Sequence, residues 1–109
     1  DVVVPDLAGW RRERMTVLPE TAYFSLAPDW VCEVLSSSTS RLDRVLKLPL
    51  YARAGVPFAW LLDPDARTLE VYALESGRWV LEATHGGEEP VRARPFDAVP
   101  LDLALVLEA

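Results

Sequence analysis

Residues 30–35 read Trp30-Val31-Cys32-Glu33-Val34-Leu35, a short run that follows Pro28 and Asp29. Because side chains alternate along a strand, this run is apolar on both of its faces, with Glu33 as the exception. A strand of this kind is typical of the centre of a sheet that is covered on both sides. An ionised carboxylate in such a strand costs several kcal/mol unless it is paired or bound to a cation. Glu33 therefore needs a partner.

The sequence on either side of this strand predicts a mixed α/β (α+β) domain, in which one helix packs on a sheet. Apolar residues at helical spacing predict the helix, and Gly55 lies where its C-terminal stop is expected. Residues 8–21 read as an irregular segment. The helix is predicted over residues 41–54. The predicted strands are one that contains residues 2–4 and ends at Asp6, one over 57–62, a hairpin of strands 69–72 and 78–82, and a short strand near 91–94. A short amphipathic element is predicted near 101–107.

The chain has 109 residues, of which 50% are hydrophobic and 26% are charged, and we treat residues 1–109 as a single globular domain. Eleven Lys and Arg residues face seventeen Asp and Glu residues, for a formal net charge of −6. This balance argues against a protein that coats nucleic acid without specificity, since such proteins carry an excess of basic residues. It leaves room for an enzyme that holds a few phosphates through local cations or a metal ion.

The single cysteine, Cys32, excludes an internal disulfide and suits a reducing compartment. With only one histidine besides, the chain also has no Cys/His set for a zinc site of its own. No apolar stretch approaches the roughly 20 residues of a membrane-spanning helix. We therefore expect a cytoplasmic protein that does not bind membranes. Because the chain enters a predicted strand directly, with no Met at its start, we also expect the N-terminal part of the domain to be truncated.

Asp6 is the second carboxylate of interest, because it lies at the end of the strand predicted beside that of Glu33. Carboxylates on adjacent strands can converge on one point, and Mg²⁺ prefers such oxygen ligands together with water. An alternative reading assigns each residue a structural role. In that reading Asp6 only caps the turn after Pro5, and Glu33 pairs with an arginine.

Lys47 is the one lysine in a chain with ten arginines, which suggests a position that needs a compact ammonium group. It lies four residues after Asp43 and four before Tyr51, so the three share one face of the predicted helix. Alone, Lys47 would form an exposed pair with Asp43, contributing about 0.3–0.5 kcal/mol. Together with Asp6 and Glu33, it would complete a site for metal-assisted phosphodiester hydrolysis.

Several short motifs, which together span nearly the whole chain, resemble one protein family. In order they are Val4-Pro5-Asp6; Pro28-Asp29-Trp30-Val31-Cys32-Glu33-Val34-Leu35-Ser36; Ser38-Thr39; Asp43; Lys47; Tyr51; Gly55-Val56-Pro57; and Trp60-Leu61-Leu62-Asp63-Pro64. This ordered set resembles the Uma-two family of restriction-endonuclease-like proteins, a bacterial branch of the PD-(D/E)xK nuclease superfamily.

The resemblance implies a restriction-endonuclease-like fold and an endonuclease that uses Mg²⁺ (or Mn²⁺) to cleave nucleic acid, with DNA as the first expectation. Asp6 and Glu33 match the family's metal ligands, and Lys47 matches its catalytic lysine. In the superfamily that lysine usually follows the acid by two residues, where this chain has Leu35, and the family places it on the next helix. Asp43 and Tyr51 match supporting positions. The helix and strand that usually precede the aspartate strand have no counterpart in the sequence.

A compact basic and aromatic patch comprises Trp10, Arg11, Arg12 and Arg14, and it is a candidate for contact with the nucleic-acid backbone. Alternatively, these arginines pair with nearby acids. Two alternatives to the nuclease function also stay open. One is a binding module that keeps the fold but does not cleave. The other is an obligate oligomer, such as a homodimer, in which the sheet edge left exposed by the missing strand pairs with a second chain.

Overall fold

The computed structural model describes residues 5–13, 27–35, 40–87 and 90–108. In this part of the chain five strands form one sheet in the order β1-β2-β3-β4-β5, and there are two helices, one between β2 and β3 and one after β5. The elements are β1 (Leu7–Gly9), β2 (Trp30–Val34), α1 (Ser40–Arg53), β3 (Phe58–Asp63), β4 (Thr68–Glu75), β5 (Arg78–Gly86) and α2 (Leu103–Glu108). No helix in these ranges is long and apolar enough to cross a membrane.

The sheet is mixed, as the α+β prediction requires, because β2 pairs parallel with β3 whereas every other pairing is antiparallel. Strand β2 lies between β1 and β3, which confirms the interior position inferred from its two apolar faces. Parallel strands need a crossover connection, and α1 supplies it between β2 and β3. Gly55 follows α1 with a φ of 78°, the left-handed conformation that ends many helices at glycine.

The sheet buries both of its faces. Helix α1 covers one of them, here called the helix face, where Val31 and Ala59 pack with Tyr51 and Val56. The other, here called the opposite face, is covered by residues of the C-terminal segment. There the buried residues are Cys32, Trp60, Leu62, Leu69, Val71, Val91, Ala93 and Leu103. The alternation predicted for β2 is thus confirmed, since Val31 lies on one face and Cys32 on the other.

The structure corrects the sequence prediction near the N-terminus. Residues from Ala8 onward were expected to be irregular, yet Ala8 and Gly9 belong to β1. A three-residue strand that contains alanine and glycine carries no local β signal, and only its pairing with β2 identifies it. Asp6 consequently lies just before β1. The strand predicted over residues 2–4 lies outside the described residues.

The C-terminal half contains more regular structure than the sequence predicts. The predicted hairpin exists as β4 and β5, and each strand is longer than expected. Ser76 and Gly77 form its two-residue turn, both with positive φ. Near the predicted short strand there is only an isolated bridge between Val91 and Leu101, and the amphipathic element that follows is helix α2.

Candidate functional site

Glu33 lies on β2 at the helix face, and only 1% of its side chain is exposed. Its carboxylate is paired with Lys47 of α1, whose Nζ lies 3.2 Å from Oε2. Among the described residues, the ion-pair partner of Glu33 is thus Lys47. In this part of the chain the structure does not show the alternative, in which Glu33 pairs with an arginine. The Lys47 side chain is 26% exposed.

Tyr51 holds the other oxygen of the same carboxylate, because its hydroxyl donates a hydrogen bond to Oε1 of Glu33. The tyrosine is itself buried, with 5% exposed. Lys47 and Tyr51 are four residues apart on α1, so both reach Glu33 from one helix face, as their spacing predicts. Asp43 lies one turn earlier in α1, and its side chain is outside the described residues.

Asp6 approaches the site from the edge of the sheet. In the antiparallel ladder Leu7 faces Cys32, and Asp6 lies one residue before Leu7, at a bend that precedes β1. The Asp6 side chain is exposed, and its Oδ2 accepts a hydrogen bond of 2.7 Å from the backbone N–H of Val34. Asp6 therefore anchors to the residue after Glu33. Sequence reasoning missed this contact, because a backbone donor leaves no signal in residue types.

The surroundings of Glu33 shift its pKa in opposing directions. Burial raises the pKa of Glu33 above its ordinary value, and the negative charge of Asp6 adds to the rise. Hydrogen bonds from Tyr51 and Lys47, together with the lysine charge, lower the pKa and partly offset the effect of burial. Burial also raises the pKa of the Cys32 thiol to about 12, with further contributions from Glu33 and Asp6. This concentration of negative charge favours a bound cation.

The available ligands indicate which cation would suit the site. The described residues contain no cluster of three or more His, Cys, Asp or Glu side chains placed for a metal. A zinc or calcium site built from protein side chains needs more ligands than Asp6 and Glu33 provide. Mg²⁺ is commonly held by one or two carboxylates, with water and substrate phosphates completing its shell. Each carboxylate oxygen of Glu33 keeps a lone pair beyond its hydrogen bond. The two carboxylates, Asp6 and Glu33, are therefore suited to Mg²⁺.

The basic and aromatic patch lies at the other end of β1. Asp6 precedes the strand and Trp10 follows it, so β1, about 10 Å long, separates them. Arg11 and Arg12 are exposed, and neither side chain forms an ion pair with a described residue. The Arg11 backbone N–H donates to Oδ2 of Asp29 at 2.6 Å, which fixes the start of the segment. Arg14 lies outside the described residues.

This chain is similar to known proteins in both sequence and fold. A family model described as "Uma2: Putative restriction endonuclease" matches residues 1–106. A crystal structure from Anabaena variabilis ATCC 29413, described as a putative nuclease belonging to DUF820, is similar with a TM-score of 0.70 and 23% sequence identity. The match covers 97% of this chain and 60% of that one, so the chain spans less than two thirds of its neighbour's length. The comparison with curated proteins found no match.

Proposed function

We propose that this chain, which belongs to the Uma2 family, is a metal-dependent endonuclease that hydrolyses phosphodiester bonds in nucleic acid, with DNA as its substrate. One observation carries the proposal. The buried carboxylate of Glu33 is held by Lys47 and Tyr51, and a second carboxylate, Asp6, is anchored to the adjacent residue Val34. The family description, and the nuclease named for the structural neighbour, support the same reaction class.

Asp6 and Glu33 are the residues that would hold Mg²⁺ or Mn²⁺. When bound, such an ion polarises a phosphoryl oxygen and lowers the pKa of a bound water. The protein's own contribution is to fix the two carboxylates before the substrate arrives. The Val34 N–H orients Asp6, and the Tyr51 hydroxyl restrains the carboxylate of Glu33. Tyr51 is therefore a positioning residue in this proposal, and Asp43 is assigned a supporting role on the same helix.

Lys47 is proposed as the catalytic cation. Its ammonium group contacts Glu33, and about a quarter of the side chain is exposed. Its positive charge can orient the attacking water or offset the negative charge that develops on the phosphate in the transition state. A compact ammonium suits this dual contact better than a planar guanidinium fork would.

Nucleic acid must approach against an overall charge of −6, so local cations would have to contact its backbone. Arg11 and Arg12, beside Trp10, are proposed to contact phosphates at a distance from the cleavage site. Because such contacts release counterions, substrate binding should be weak and should decrease as salt increases. We place this activity in the cytoplasm.

The proposal is tested first by calorimetric titration of Mg²⁺ and Mn²⁺ into the native protein and the Glu33→Ala variant. A matched control is Glu70→Ala, because Leu61 faces Glu33 on one side and Glu70 on the other, so both acids lie on the helix face. We expect saturable binding by the native protein and by Glu70→Ala, and none by Glu33→Ala. If the native protein binds neither ion, this chain has no working metal site and the proposal is wrong.

Cleavage is then measured on linear and supercoiled DNA with Mg²⁺, with RNA as a parallel substrate. Lys47→Ala should retain cation binding and lose at least about a hundredfold in cleavage rate. Metal binding without cleavage of either nucleic acid would contradict the nuclease function and favour a binding module. Cleavage of RNA alone would keep the reaction class and reject DNA as the substrate.

A further inference from the structure

Strand β5 forms one edge of the sheet. It pairs with β4 on one side, and no described residue pairs with its other side, here called the outer edge. Val80 and Leu81, near the middle of this strand, are 42% and 49% exposed. An exposed strand edge that carries apolar side chains is a template on which another strand can pair.

The turn before β5 determines which of its backbone groups point outward. In a two-residue hairpin of this type, the flanking residues Glu75 and Arg78 form a hydrogen-bonded pair. The next pair, Leu74 and Trp79, is then of the non-hydrogen-bonded type. The backbone N–H of Leu74 confirms this, because it donates to Pro57 on the far side of β4 at 2.9 Å. Trp79, and Leu81 two residues later, therefore direct their backbone N–H and C=O groups to the outer edge.

We propose that the outer edge of β5 binds a second copy of this chain, in an antiparallel pairing about a two-fold axis that passes beside Val80. In this register Trp79 of each copy lies opposite Leu81 of the other. Both residues present outward backbone groups, so four hydrogen bonds form across the axis. The two Val80 side chains then meet as a non-hydrogen-bonded pair, and the two five-stranded sheets become continuous.

The charges on β5 are complementary in this register. Arg78 and Glu82 lie two residues on either side of Val80, so each Arg78 faces Glu82 of the other copy. The three side chains share the opposite face of the sheet, where Glu82 also contacts Arg94 at 2.6 Å. Opposite charges directly across two strands are stabilising, and like charges are destabilising. Moving the axis by two residues would place Glu82 against Glu82 or Arg78 against Arg78.

The size of the interface is limited by the β-bulge in β5. The register shift between Val71 and Tyr72 leaves Glu82 as an extra residue, and such a bulge bends the strand away from regular pairing. Regular pairing therefore ends at Glu82. An interface of this size is smaller than those of obligate dimers, so we infer a concentration-dependent equilibrium between monomer and dimer. The proposed dimer does not depend on the proposed metal site, because Glu33 lies on β2, three strands away from β5.

The first test is sedimentation velocity of the full chain, without added metal, from about 10 μM to about 1 mM, the range in which small interfaces dissociate. We expect the average mass to rise toward twice that of the chain. Val80→Lys should raise the dissociation constant at least about tenfold, because it places two ammonium groups together at the axis. Thr84→Lys adds the same charge to an exposed β5 residue outside the paired segment, and it should dimerise like the native chain.

A second variant tests the register itself and does not depend on how well Val80→Lys folds. Cα atoms of a non-hydrogen-bonded antiparallel pair lie about 4.5 Å apart, which is close enough for a disulfide. Under mild oxidation Val80→Cys should therefore form a covalent dimer on a non-reducing gel, and Thr84→Cys should not. A native chain that stays monomeric up to 1 mM would overturn the proposal. Equal cross-linking of the two cysteine variants, or a dimer unaffected by Val80→Lys, would also overturn it.

Discussion

The ammonium group of Lys47 lies 3.2 Å from Oε2 of Glu33, although the residues are fourteen positions apart and belong to different elements. The lysine compensates a carboxylate that is otherwise enclosed by the sheet and α1, at a position where an unpaired charge would destabilise the fold. Removing either partner should therefore affect both stability and chemistry. Variants that keep the shape of the side chain separate these two effects.

Tyr51→Phe should destabilise the protein and weaken cation binding. The substitution removes the hydroxyl that donates to the buried Glu33 carboxylate, and we expect the free energy of unfolding to fall by about 1–3 kcal/mol in urea denaturation. Tyr72→Phe is the matched control, since the Tyr72 hydroxyl donates to the partly buried Glu70 at 3.2 Å. It should leave Mg²⁺ affinity unchanged. Equal effects of the two substitutions on Mg²⁺ affinity would contradict the positioning role of Tyr51.

Asp6→Asn should separate the charge of Asp6 from its structural contact. The amide keeps an oxygen that can accept the Val34 N–H, so the free energy of unfolding should change by no more than about 0.5 kcal/mol. Loss of the negative charge should lower Mg²⁺ affinity at least about tenfold in calorimetry. Asp65→Asn, in an exposed turn, is the control and should alter neither quantity. Unchanged Mg²⁺ affinity in Asp6→Asn would remove Asp6 from the proposed ligand set.

The stability of the metal-free protein should depend on pH through Glu33. Because burial raises the pKa of this carboxyl in the folded state, the folded protein binds its proton more readily than the unfolded chain does. The free energy of unfolding should therefore fall as pH rises from the ordinary carboxyl pKa to the raised one, and Glu33 should contribute no further change above it. Glu33→Gln should lack this component.

The measurement is a series of urea unfolding curves between pH 4 and pH 8 with a chelator present. The contribution of Glu33 is the difference between the native protein and Glu33→Gln, which removes the effects of the other titratable groups. A difference that changes in the opposite direction with pH would mean that Lys47 and Tyr51 outweigh burial. The pKa of Glu33 would then be lowered in the folded protein.

Cys32 should be unreactive in the native protein. Its side chain is 3% exposed, and its pKa of about 12 leaves almost no thiolate at pH 8. Reaction with a thiol reagent such as DTNB should be at least about a hundredfold slower in buffer than in concentrated urea. The chain has no other cysteine, so the signal reports this position alone. Prompt labelling of the native protein would show that β2 is more accessible than the structure indicates.

Much of the fold could be predicted because its strongest signals are local. The apolar run of β2, the helical spacing before Gly55 and the turn at Ser76 and Gly77 each depend on a few neighbouring residues. Strand β1 could not be predicted in this way, since Leu7–Gly9 is extended only because it pairs with β2. The fuller lengths of β4 and β5 likewise depend on pairing between strands, which residue types alone do not encode.

In the candidate site, too, some features depend on local sequence and others on tertiary contacts. The sequence by itself determined that Glu33 is anomalous, because a carboxylate in an apolar strand carries an energetic cost wherever the chain folds. It also determined that Lys47 and Tyr51 share a helix face, since helical periodicity is a local property. Only the tertiary structure decided that this face meets Glu33, and that Asp6 is held by the backbone of Val34. Such contacts arise when separate elements pack together, so their geometry depends on the whole sheet.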